Sequence, residues 1–200
     1  ALGAATRLTD CGSTKRSVVE AARMRLGDAF DRFVPGHPIA GSEHSGPDAA
    51  RADLFRGRRW VLCPVNPAQQ SLCAELRSLL APAGAVWSEM TPDAHDRLFA
   101  EVSHWPHVVA FALGEAIARG GLGDAAIEFS GGGLRDTSRI SASSPDLWAG
   151  ILLDNADAVL ESAERYRESL EGLIAAIRAR DREALRAHLE TARQWRSRLR

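Results

Sequence analysis

The sequence predicts an α/β segment built on a largely parallel sheet, followed by an all-α segment, with the change near residue 90. Two textures carry that prediction. Up to about residue 90, short runs rich in β-branched and aromatic residues alternate with helical patterns, and beyond "TPDAHD" the β-type runs almost vanish. Hydrophobic residues make up 45% of the 200-residue chain, enough for a real core.

The elements follow in order. "TRLTD" reads as a strand and Ser13 to Leu26 as a helix that Ser13 or Thr14 can cap; "RFVPG" is a second strand, followed by a short helix near Asp48 to Phe55. "RRWVLCP" is a third strand, and Ala68 to Leu80 a helix entered through Asn66-Pro67, with proline near its first turn. "GAVWSEM" closes the α/β segment. Thr91-Pro92-Asp93 then caps a long helix from Pro92 to Ala118, which Pro106 should kink or hold to a local course. A short helical turn at Asp124 to Phe129, one helix from Pro145 to Ala179 and another from Asp181 to Arg200 complete the chain.

Charge and cysteine usage narrow the function classes. With 25 basic and 26 acidic residues the formal charge is −1, so no nucleic acid or anionic membrane is implied as a partner. No apolar run approaches a membrane span. Cys11, Cys63 and Cys73 lack CxxC spacing and an even count, which argues for reduced thiols in the cytoplasm and against a disulfide framework or structural zinc. The sequence starts at Ala1 without an initiator Met, as a processed chain or a piece of a longer one would.

The α/β segment resembles only part of a nucleotide-binding domain. A Rossmann-like sheet has two βαβ halves, and the first carries a GxGxxG turn with an acidic residue about 20 positions later. Neither is present; the glycine cluster "SGGGLRD" follows no strand and opens no long helix. The expectation is a partial Rossmann-like parallel sheet over 1–90 and a helical domain over 91–200.

Five stretches together carry a family resemblance: "TDCGSTK", "HPIAGSEHSG", "LFRGRRWVLCP", "MTPDAHDRLFAEVSHWPHVVAFAL" and "FSGGGLRDTSRISASSPDLWAGILLDN". Their order and approximate spacing resemble the prephenate and arogenate dehydrogenases of tyrosine biosynthesis, over nearly the whole chain. The resemblance implies oxidative decarboxylation of prephenate or arogenate with hydride transfer to NAD or NADP, and a cytoplasmic homodimer joined through its helical domain. Residues 1–90 would be the C-terminal half of the nucleotide-binding domain, and 91–200 the substrate-binding and dimerisation domain. Because the glycine-rich half is missing, a truncated form with impaired activity on its own is expected.

Such a reaction needs a proton acceptor for the ring hydroxyl, cationic or N–H partners for carboxylates, and an oriented hydride donor. The resemblance assigns the acceptor role to His37, in a turn between Gly36 and Pro38, where a solvated turn histidine would look the same by residue type. A neutral imidazole suits that task at working pH. Ser13 resembles the serine that hydrogen-bonds the hydroxyl and the catalytic histidine, and a helix cap at a strand end faces the same crevice. Lys15 stands either near the cofactor or in solvent in the first helical turn. Ser42 and Glu43 follow in the His37 loop, and the family uses the glutamate in its substrate pocket.

"SHWPH" places Ser103 and His107 on one helical face, with His104 nearby; the resemblance makes Ser103 and His107 pocket residues. Arg139 is the carboxylate ligand, because its planar fork binds a carboxylate bidentately, and Arg135 is its competitor. Gly132, Asp136 and Trp148 match positions that reach an active site, in some members that of the partner subunit. Ile151, Leu152, Val159, Leu160, Leu170, Leu173, Ile174 and Ile177 make an apolar face of the kind the family buries in a dimer. Two other classes compete with the enzyme. One is a non-catalytic dimerisation or ligand-sensing module, the other a metal-dependent hydrolase using the histidines; no metal is assigned here.

Overall fold

The computed structural model describes residues 3, 5–41, 46, 48, 50–121 and 123–199. Strand β1 (Leu8–Thr9) runs parallel to β2 (Phe33–Val34), with Leu8 opposite Phe33 and Thr9 opposite Val34. Helix α1 (Arg16–Leu26) and a 3₁₀ turn (Gly27–Arg32) connect them. At Pro35, which has no N–H to give a ladder, the extended chain changes partner. Residues Gly36–Pro38 form β3, antiparallel to β4 (Arg59–Leu62), with His37 opposite Val61. Helix α2 (Pro67–Leu79) leads to β5 (Val86–Glu89), parallel to β4.

Among the described strands the pairing is largely parallel, as expected, with β3–β4 the antiparallel pair. His37 sits in a strand rather than the expected turn, because the run that begins at Phe33 continues past proline and pairs with β4. The short helix expected near Asp48 to Phe55 is replaced by consecutive turns over 52–57, held by Leu54 N–H to Arg51 O and Arg56 N–H to Asp53 O.

Strand β4 alternates its side chains between two cores, as the two-residue period of a strand requires. Trp60 and Leu62 pack with Val34, Cys73 and Leu76 under α2, while Val61 and Cys63 meet Phe99 on the other face. Each fully buried leucine here contributes about 1.5–3 kcal/mol. Asn66 caps α2 by accepting from Gln69 N–H at 2.9 Å, with Pro67 in the first turn.

The helical part opens with α3 (Pro92–Phe99), capped by Thr91. A π-helical turn, Ala100–His104, joins it to α4 (Trp105–Arg119). In that turn Trp105 N–H bonds Ala100 O, five residues back, so the expected effect of Pro106 is a change of hydrogen-bond period. Short α5 (Gly123–Glu128) and α6 (Gly132–Ser138) follow, then a 3₁₀ turn (Arg139–Ala142) and α7 (Pro145–Asp154). The single helix expected over 145–179 is broken at Asn155, after which α8 runs Ala156–Ala179.

Helix α1 is not capped by Ser13 or Thr14 as expected. Thr14 Oγ1 donates to Asp154 instead, and the cap comes from a distant element. Asp96 of α3 accepts Lys15 N–H at 2.8 Å and Arg16 N–H at 2.9 Å.

Residues 1–159 form one compact unit and residues 160–200 another. The second is a helical hairpin of the distal part of α8 with α9 (Arg182–Arg196), whose N-terminus Asp181 caps through Glu183 and Ala184 N–H. Gly172 admits the His188 ring, which would stand 2.9 Å from a Cβ at that position. Among the described residues, no helix is long and apolar enough to cross a membrane.

Candidate functional site

A cavity of about 430 Å³ opens where Ser13, β3 and the residues just after it meet the π turn, the 3₁₀ turn at Arg139 and α7. Ser13, His37, Ser103, His107, Arg139 and Trp148, six of the residues singled out in the sequence, all line it. His37 arrives on β3 and Arg139 from the end of α6, so residues about a hundred positions apart converge on one hollow.

The position of His37 depends on its glycine neighbour. A Cβ at Gly36 would lie 2.7 Å from Thr9 Oγ1 and 2.8 Å from Asp10 O, so only glycine lets β3 pass this close to the end of β1. Asp10 fixes the same corner by accepting from Gly36 N–H and Gly12 N–H, each at 2.8 Å. Lys15 completes it. Its ammonium is fully buried against Asp10 and donates to Gly36 O at 2.7 Å. Of the two alternatives for Lys15, the solvated first-turn lysine is excluded, since the side chain has no exposed surface.

The imidazole of His37 shares a 2.8 Å hydrogen bond between its Nδ1 and His95 Nε2, and His95 Nδ1 lies 2.8 Å from Asp96 Oδ1. Phe99 packs on both rings, with centroids 5.0 Å from His37 and 4.4 Å from His95. Burial, and then the unfavourable approach of an imidazolium to His95, Lys15 and His104, push the His37 pKa down to about 3 against the pull of Asp96, so the ring is neutral at working pH. Burial pushes the Asp96 carboxyl up, but hydrogen bonds from His95 and from the Arg16 and Lys15 amides outweigh it, and the group lies below its ordinary value.

The π turn sets the opposite wall. His107 Nδ1 donates to Ser103 O at 2.9 Å, leaving its Nε2 unprotonated, and its ring stacks on Trp148 with centroids 3.4 Å apart. Burial lowers the His107 pKa and the nearby Arg139 charge lowers it further. His104 faces inward. Its Nδ1 accepts from Asn155 Nδ2 at 3.2 Å, its ring bonds the Ser13 backbone, and burial brings its pKa to about 4. Asn155 Nδ2 also donates to Asp96 O, and Arg16 donates to Asn155 Oδ1.

Other expectations fare differently. Gly132 and Asp136 lie on exposed positions of α6 outside the described lining, as does Arg135, which borders a separate groove with Ser130 and Leu134. Ser42 and Glu43 lie outside the described residues. His95, Asp96, Phe99 and Asn155 were missed as functional residues. The signal available was "HD" one helical turn before an inward Phe, which by residue type also describes an ordinary helix surface. Among the described residues, no group of three or more His, Cys, Asp or Glu is arranged to hold a metal ion. The Cys63 thiol, pushed up to about 12 by burial, is no nucleophile.

With the geometry in place, comparison with known proteins adds relatives. Residues 1–89 match the family model described as prephenate dehydrogenase, nucleotide-binding domain, and residues 91–191 match prephenate dehydrogenase, dimerization domain. The prephenate dehydrogenase of Bacillus subtilis (strain 168) is 35% identical over 190 residues, covering 94% of this chain and 51% of that protein. The chain thus spans about half the length of that relative. The crystal structure of prephenate dehydrogenase from Aquifex aeolicus superposes with a TM-score of 0.88 at 31% identity, over 99% of this chain and 69% of that one. A second structure of the A. aeolicus enzyme, in complex with hydroxyphenyl propionate and NAD+, gives a TM-score of 0.82 at 32% identity, over 100% and 69%. The α/β segment is therefore Rossmann-like and is followed by a helical domain.

Proposed function

The chain belongs to the prephenate dehydrogenase family, and from that premise we propose that it supplies the substrate site for oxidative decarboxylation of prephenate or arogenate by hydride transfer to NAD or NADP. The observation that carries the proposal is the convergence of His37 and Arg139 on one cavity. The A. aeolicus complex with a phenolic acid and NAD+ supports ligands of the same kind for this chain.

Each residue has a task in that reading. His37, neutral, takes the proton of the ring hydroxyl as the carbonyl forms, with Ser13 as a second partner of that hydroxyl. Arg139 grips a carboxylate bidentately in the same cavity, and Ser103 and His107 frame the ring. Ile39, Phe99, Val102 and Leu147 provide apolar wall, which keeps water from the reacting carbon. The nicotinamide, when bound, supplies the hydride acceptor. Ser13, in the loop after β1, and His37, on β3, stand together beside the cavity, a placement that suits the nicotinamide end of a dinucleotide. The 200 residues contain no GxGxxG turn, so they provide no phosphate cradle of that type.

The division near residue 90, the assignment of Glu43, Gly132 and Asp136 to the substrate site, and a cytoplasmic homodimer belong to the same proposal. The description of the family model over 91–191 as a dimerization domain supports the dimer. A second reading is a ligand-binding module without turnover, which the same cavity would serve. One experiment separates the two. Reduced nicotinamide is followed with prephenate and with arogenate in the gene product carrying these residues, while binding of hydroxyphenyl propionate is measured by calorimetry. His37→Asn should lower kcat by about two to four orders of magnitude. Arg139→Lys should weaken binding about 10- to 100-fold, the cost of one charged hydrogen-bonded pair. Binding without any nicotinamide reduction in the unaltered protein would favour the module; an unchanged rate in His37→Asn would remove His37 from the chemistry.

A further inference from the structure

We propose that His95 and Asp96 are positioning residues: they form a relay that fixes the tautomer of His37, so that its Nε2 faces the cavity as a lone pair. The inference rests on the reading of His37 as the proton acceptor, but its geometry is independent of any substrate. A carboxylate can only accept, so the 2.8 Å contact to Asp96 Oδ1 requires a proton on His95 Nδ1. We take the His95 ring as neutral, so that its Nε2 is an acceptor. The 2.8 Å contact from that nitrogen to His37 Nδ1 is satisfied only if His37 carries its proton at Nδ1. The nitrogen left over is His37 Nε2, on a ring that lines the cavity.

Three features hold the relay in this sense. Asp96 cannot turn, because its two oxygens are also committed to Lys15 N–H, Arg16 N–H and the Arg16 guanidinium, the last at 3.3 Å. His95 is fully buried and Asp96 nearly so, which keeps water from offering alternative partners. Phe99, one helical turn beyond His95, lies against both rings and opposes a flip of either. When His37 accepts the substrate proton at Nε2, no proton moves along the relay. The Nδ1 protons of His37 and His95 stay in place, and the new imidazolium charge is opposed by the Asp96 carboxylate through the intervening ring. His95 does not touch the substrate. It acts through His37, as the orienting partner of a catalytic base does.

The test reads the tautomer directly. In the ligand-free full chain labelled with ¹⁵N-histidine, long-range ¹H–¹⁵N couplings at neutral pH should show His37 protonated at Nδ1; protonation at Nε2 in the unaltered protein overturns the proposal with no variant needed. His95→Leu should release His37 into a mixture containing the Nε2–H form and lower kcat about 10- to 100-fold, the range for loss of an orienting partner, with little change in KM. His95→Gln, whose amide can accept from His37 and donate to Asp96, should restore the Nδ1–H form and most of the rate. A His95→Leu protein that is folded and still purely Nδ1–H at His37 also overturns it. A shifted tautomer with unchanged turnover leaves the relay standing and sinks instead the role of His37 as proton acceptor.

Discussion

Burial of the cavity histidines has a consequence that can be measured without substrate. His37 and His104 titrate at about 3 and about 4 in the folded chain, burial being the largest cause in each. An unfolded histidine titrates near 6.5. Both folded values are depressed, so the associated stability is present above about pH 6.5 and is lost as pH falls toward 4 and then 3, because the unfolded chain takes up protons that the folded chain refuses. Each histidine should contribute a slope of about 1.4 kcal/mol per pH unit in that window. Urea unfolding at steps from about pH 7 to about pH 4 should show this loss, and His37→Asn should flatten it by one histidine's share. An unaltered slope would mean that His37 is not buried as described. At this scale the sequence was informative about residues with one job in one motif: His37, Ser13, Ser103, His107, Arg139 and Trp148 share the cavity. It was silent about Asp96, whose role depends on backbone amides about eighty positions away. The burial of Lys15 was illegible for the same reason, because its place between Asp10 and Gly36 O exists only once β1 and β3 have closed around it.

Among the elements, β3 is the one on which the site turns. Its course beside β1 depends on the missing side chain of Gly36, where even one methyl group would meet Thr9 and Asp10 well inside contact distance. Gly36→Ala should therefore cost about 1–3 kcal/mol, the price of overpacking a tight corner, and move His37 out of line with the cavity. A fall in thermal midpoint together with weaker ligand binding would be observed, whereas unchanged stability would mean the corner has slack. Most strands and helices were legible because their periods and caps are local: Asn66 and Thr91 cap α2 and α3 as expected. What was illegible needed a partner. β3 is a strand because β4 lies beside it, and the break at Asn155 exists because that amide turns inward to Asp96 and His104. The π turn is an intermediate case: Pro106 announces that the helix must yield, but not that it yields by lengthening its hydrogen-bond period.

For the whole molecule, the exposed apolar side chains of the helical part point to assembly. Phe129 is 81% exposed, Leu153 79% and Ile127 75%, apolar surface that a partner subunit would cover. Sedimentation should find a homodimer, and Phe129→Asp combined with Leu153→Asp should weaken it by about 2 kcal/mol or more, roughly 30-fold. A monomer in the unaltered protein would remove the dimer from the proposal.

The carboxylate of Asp96 finally bears on how the chain comes into being. On a ribosome, the first turn of α1 emerges about eighty residues before the group that closes its amide ends. Until α3 is made, that helix has to wait with a frayed start, and a fragment cut at residue 90 would stay in this unfinished condition. The change of texture near that position marks a shift in architecture across which the two segments share hydrogen bonds.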